Sequence, residues 1–82
     1  MSVSEHLKLE WMKLPSGDIL GGFHDALGNG CSIGRAKFHA DKRSIYLTAG
    51  HGTLVLTPEM CAELALVLGY IAYTDGQLPE TD

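Results

Sequence analysis

The chain has little of what marks most functional classes. Its longest run free of charged and histidine residues, 64–74, is too short and too mixed to cross a bilayer. The opening Met1-Ser2-Val3-Ser4-Glu5-His6 has neither the basic nor the apolar region of a secretion signal, so a cytoplasmic location is expected. Cysteine is scarce: Cys31 and Cys61 are expected to be reduced thiols in that compartment. Together with His6, His24, His39 and His51 they form no C-x-x-C, no H-x-x-x-H and no other paired ligand spacing. No metal and no cofactor is therefore expected. Gly28-Asn29-Gly30 and Gly50-His51-Gly52 lack the G-K-[ST] of a phosphate loop, and neither opens directly into a helix. His24 and Asp25 are neighbours on an extended segment, so their side chains point to opposite faces and make a poor catalytic pair. Cys31 follows a turn and could meet a histidine from another strand. A small sheet with one helix offers little concavity, however, and a buried strand cysteine is the simpler reading. The expectation is that the chain is not an enzyme and has no catalytic residues.

What is present describes one small α+β domain of 82 residues, near the size at which a single core only just suffices. Apolar residues are 45% and charged residues 20%, which excludes a disordered chain. Ten glycines, eight of them between Gly17 and Gly52, favour short strands and tight turns over a bundle. Period-2 patterning gives a meander of four or five antiparallel strands at roughly 7–14, 19–26, 31–39, 44–49 and 53–56. Leu7, Leu9 and Trp11 face inward on the first strand, and Pro15-Ser16-Gly17-Asp18 turns the chain. Gly21-Gly22 weakens the second strand, where a neighbouring side chain is expected to lie across bare backbone. Gly28-Asn29-Gly30 is a hairpin signal, and Ile45, Leu47 and Ala49 share one face of the fourth strand.

A single helix over 58–73 closes the domain. Thr57 suits the N-cap, Pro58 the first helical position, and Glu59 the positive end of the helix dipole. Asp75-Gly76 stops it, and the acidic tail 77–82 is expected to be loose. At 100° per residue, Met60, Leu64, Val67, Leu68 and Ile71 form the stripe that meets the sheet. Cys61, Ala62, Ala65, Gly69 and Ala72 make a strip of small residues. Glu59, Glu63, Leu66, Tyr70 and Tyr73 make the outer face.

Two surfaces follow as candidates. Leu66, Tyr70 and Tyr73 recur at the spacing of helix-borne anchors, and Gly69 beside them allows close approach of another backbone. The alternative for these residues is a helix half-sunk in its own sheet with tyrosine hydroxyls reaching water. The second surface is the basic hairpin. Arg35, Lys37, Lys42 and Arg43 against Asp41 give residues 35–43 a net +3, while the rest of the chain carries −7. Such a cluster could hold an anionic ligand or nucleic acid, although an acidic domain repels polyanions at long range and solvated charge is the simpler reading.

The leading expectation is a non-enzymatic protein-interaction module whose partner is a second copy or a heterologous protein. Its size, acidity and lack of catalytic motifs are typical of phage-encoded inhibitors of bacterial defence or nucleic-acid enzymes, anti-CRISPR-like proteins included. The alternatives are an anion or nucleic-acid binder through residues 35–43, with nucleic acid the less favoured partner, and a small His/Cys metal- or thiol-dependent enzyme. No membrane association is expected.

Overall fold

A computed structural model describes residues 5–36 and 43–79. Four strands, β1 (Glu10–Lys13), β2 (Ile19–His24), β3 (Gly30–Arg35) and β4 (Ile45–Ala49), form an antiparallel meander in the order β1-β2-β3-β4. One helix, α1 (Pro58–Tyr73), covers one face. The fold is therefore α+β, with four strands among the described residues.

The register explains the two faces. Trp11 lies opposite Gly21, Gly21 opposite Ile33, and Ile33 opposite Leu47, so this row points toward α1. Ile33 is fully buried at its centre. A Cβ on Gly21 would sit 2.8 Å from the Trp11 ring and 2.9 Å from Ile33, so glycine is required for the indole to cross the strand. Gly22, on the other face, has open space around its Cα. Phe23, Cys31 and Ile33 from the sheet, with Leu7, Leu9 and Leu78 from irregular chain, meet Met60, Leu64, Val67 and Ile71 of α1 in one core.

Several expectations are corrected. The first strand begins at Glu10 rather than at residue 7: Lys8 takes a left-handed φ of 54°, which breaks the extended run while Leu7 and Leu9 still enter the core. The second strand stops at His24, because Asp25 turns the chain into the hairpin. The third stops at Arg35, and expected positions 37–39 lie outside the described residues. Residues 53–56 are not a fifth strand. They cross the end of the sheet to reach the start of α1: the Val55 carbonyl accepts the Ala26 N–H, and the Val55 N–H donates to the Asp25 carboxylate, both in the β2–β3 loop. The tail is not wholly loose either, since Leu78 is buried. Positions 80–82 lie outside the described residues.

The helix ends are well specified. The Thr57 hydroxyl accepts the Met60 N–H, and Pro58 occupies the first turn. At the other end Asp75 and Gly76 both adopt positive φ, and Gly76 N–H returns to the Ile71 carbonyl. A Cβ at Gly76 would approach the Arg43 carbonyl oxygen to 2.8 Å, so this glycine also lets the helix end dock against the start of β4.

Candidate interaction surface

Two carboxylates, Asp25 and Glu63, bind backbone N–H groups of the segments next to α1. Asp25 is buried at the turn between β2 and β3. Its Oδ1 accepts the Leu27 and Asn29 N–H groups at 2.9 Å each, and Oδ2 accepts the Val55 N–H at 3.2 Å. These bonds, led by the one from Asn29, hold its carboxyl below the usual range. Glu63, on the flank of α1 nearest the N-terminal segment, accepts the Leu7 N–H at 2.8 Å and the His6 N–H through both oxygens. It also meets His6 Nδ1 at 2.6 Å. Burial opposes ionisation of Glu63, but the bonds from Leu7 and His6 outweigh it and its pKa is lowered; the same contact raises that of His6. Glu63 therefore belongs to the structure rather than to the free outer face expected of it.

His6, His24 and Asp25 line one open cleft, and the cysteines lie outside it among the described residues. Cys31 is buried, and desolvation pushes its thiol pKa up, so it is a poor nucleophile. Cys61 is exposed on α1, and both thiols are free. His24 and His51 are exposed, and His39 lies outside the described residues. Among the described residues no three His, Cys, Asp or Glu side chains are grouped to hold a metal.

The two described members of the basic cluster, Arg35 and Arg43, lie side by side and are engaged within the fold. Arg35 pairs with Ile45, points to the helix side of the sheet, and donates to the Arg43 carbonyl at 3.2 Å. Arg43 forms an ion pair with Asp75 beyond the end of α1. Lys37 and Lys42 lie outside the described residues. Arg35 instead lines an open cleft of about 590 Å³ with Asp18 and Tyr70, at the C-terminal end of the helix. One residue of each expected surface thus meets in this cleft, and the Asp18 carboxylate works against an anion there.

The helix face is where the structure concentrates unexplained apolar surface. Of residues 64–73, Leu64, Val67 and Ile71 are buried, and the other seven are exposed. None of those seven carries a charge. Leu66 is 60% exposed, Tyr70 44% and Tyr73 91%, and Gly69 has nothing within 4 Å of where a Cβ would stand. Leu68 was expected in the buried stripe but is 38% exposed, because the sheet contact centres on Leu64, Val67 and Ile71 and Leu68 falls at its margin. No family model, no curated protein and no solved structure matches the chain.

Sequence reasoning missed one further apolar element. Met12, Leu20, Gly34 and Tyr46 lie in register across all four strands on the face away from α1. Met12 is 46% exposed, and a Cβ at Gly34 would stand 2.7–2.9 Å from the Tyr46 ring, which lies over it. The pairing signal was available, since alternate residues of adjacent strands share a face once the hairpins are counted.

Proposed function

We propose that the domain is a non-enzymatic protein-interaction module whose principal contact surface is the outer face of α1, centred on Leu66, Gly69, Tyr70 and Tyr73. The observation that carries this reading is the uncharged solvent face of residues 64–73. A surface helix ordinarily alternates its core stripe with Lys, Glu or Gln. Here the last ten residues of the helix expose leucine, tyrosine and small residues only. Tyrosine and leucine at i, i+4 and i+7 offer apolar area with a polar rim, and Gly69 between them lets a partner backbone come close. The inhibitor role suggested by size and acidity is part of this proposal as the partner class to assay first: an enzyme of bacterial defence or nucleic-acid metabolism.

The test is a Leu66→Glu/Tyr70→Glu double variant, whose changes leave the buried stripe intact. It should keep the parent's circular dichroism and melting temperature while losing proteins that the parent captures, in low and high salt alike. A double variant that folds and still retains every partner of the parent overturns the reading. Binding that disappears steeply with salt would indicate phosphate contacts instead.

A further inference from the structure

Among the described residues the sheet has two open edges, and they are built differently. β1, Glu10–Lys13, carries an acid and a base, and its edge is guarded by charge in the usual way. β4, Ile-Tyr-Leu-Thr-Ala, has no charge, no proline and no glycine. Its register fixes which backbone groups are unused. Ala36 N–H bonds the Ser44 carbonyl and Gly50 N–H the Gly30 carbonyl, each at 2.9 Å. Residues 44, 46, 48 and 50 therefore face β3, and Ile45, Leu47 and Ala49 turn their N–H and C=O groups outward. Among the described residues, the outward group that finds a backbone partner is the Ala49 carbonyl, which accepts from Gly52. Unpaired donors and acceptors at strand spacing call for another strand rather than a helix or a small molecule.

We propose that β4 docks antiparallel on β4 of a second copy of this chain, two-fold about Leu47, so that the two four-stranded sheets become continuous. Such a contact is self-complementary. Leu47 pairs with its symmetry mate through both N–H···O bonds, and Ile45 falls opposite Ala49, large against small. On the outer face Tyr46 falls opposite Thr48, again without like charges. A second copy supplies a strand of the same length and uncharged composition, with the same outward N–H and C=O groups in the matching register. The contact also accounts for Leu47, which points to the helix side like Ile33 yet is 41% exposed at the edge. The partner's Leu47 would cover it beside the flank of α1 that carries Leu68. This surface is distinct from the outer α1 face, so either proposal can fail alone.

The experiment is sedimentation velocity over a concentration series, with amide hydrogen exchange read at the same concentrations. The parent should dimerise, and the Ile45 and Leu47 amides should gain protection only as the dimer fills. Leu47→Lys places two ammonium groups opposite each other across the axis and should weaken association by at least ~10-fold, removing that protection. Leu66→Glu/Tyr70→Glu should leave the dimer in place. A parent that stays monomeric throughout, with fast exchange at Leu47, overturns the proposal. So does a dimer that survives Leu47→Lys, or one that is lost only in the helix double variant; the last result would move self-association to α1. If Leu47→Lys fails to fold, Leu47→Pro serves in its place, because it deletes an N–H that β3 does not use.

Discussion

Leu64 and Leu68 are one helical turn apart on α1, chemically identical, and buried to different degrees: 6% exposed against 38%. Truncating Leu64 to alanine removes three buried carbons, about 2.4 kcal/mol at ~0.8 kcal/mol per methylene. The closed surroundings of Met60, Val67 and Ile71 add a cavity term, for a total of ~3–4 kcal/mol. At Leu68 the transfer part falls to roughly 1.5 kcal/mol and the vacated space opens to water, so little cavity term remains. A domain of this length has ~4–12 kcal/mol in all. Leu64→Ala therefore consumes a large share of the stability, and Leu68→Ala a small one. Urea unfolding followed by the fluorescence of Trp11, the one tryptophan, measures both. With a slope of ~1 kcal/mol/M, Leu68→Ala should lower the midpoint by ~1.5 M or less and Leu64→Ala by at least twice as much. Protein should be dilute, because a dimer covering the β4 side would add concentration-dependent stability at Leu68. Equal losses for the two leucines, with unchanged slopes, would refute the placement of α1 on the sheet.

Four further outcomes follow from the geometry. Gly21→Ala should destabilise far more than Gly34→Ala, since the first drives a methyl between Trp11 and Ile33 in the core and the second meets a half-exposed Tyr46 that can swing away; thermal melts of the pair check this. The lowered carboxyl of Asp25 contributes stability that is present above its ordinary 3.8 and lost as pH falls through the lower folded value, so an acid titration should show a loss that Asp25→Asn lacks. His6 has the opposite sign: its raised folded pKa contributes below the ordinary 6.5 and fades as pH rises through the folded value. An NMR titration of His6 should move back toward 6.5 in Glu63→Gln. Any polyanion binding should be weak, and charge reversal of Arg35 together with Lys37 should abolish it; tight DNA binding that is insensitive to salt and survives that change would contradict a role for this cluster.

The α+β class, the meander and the helix were legible because each has a local cause. Alternation marks the strands, Gly28-Asn29-Gly30 the hairpin, and Thr57-Pro58 the helix start. What escaped the sequence were effects between distant elements. Alternation at Leu7 and Leu9 records burial, and it looks the same whether the backbone is a strand or is broken by Lys8 at positive φ. Residues 53–56 have strand composition, but Asp25 claims the Val55 N–H and draws them across the sheet end. Glu63 sits on the helical wheel among outward residues, and only the return of the N-terminal segment 56 positions away along the chain gives its carboxylate a task. The same holds for Arg35, whose alternation with Lys37 suggested a common basic face; the strand ends at Arg35, and its guanidinium turns to the Arg43 carbonyl.

The ties that hold α1 can be separated from the residues that do not hold it, and that separation is the strongest reason to look for partners. Four side chains, Met60, Leu64, Val67 and Ile71, enter the core. Thr57 caps the start, Glu63 binds the returning N-terminal segment, and Gly76 docks the end against Arg43. Leu66, Gly69 and Tyr73 take part in none of these. Gly69 costs the helix about 1 kcal/mol relative to alanine, with no neighbour among the described residues whose approach requires it. Folding alone would favour Ala, Lys or Glu at each position. On β4 the argument is parallel: the ladder to β3 uses Ser44, Tyr46, Thr48 and Gly50, and it places no demand on the outward N–H of Leu47 or on the lack of a guarding charge. Both surfaces are apolar where the fold itself is indifferent, and the two proposed contacts would supply an energetic reason for that composition.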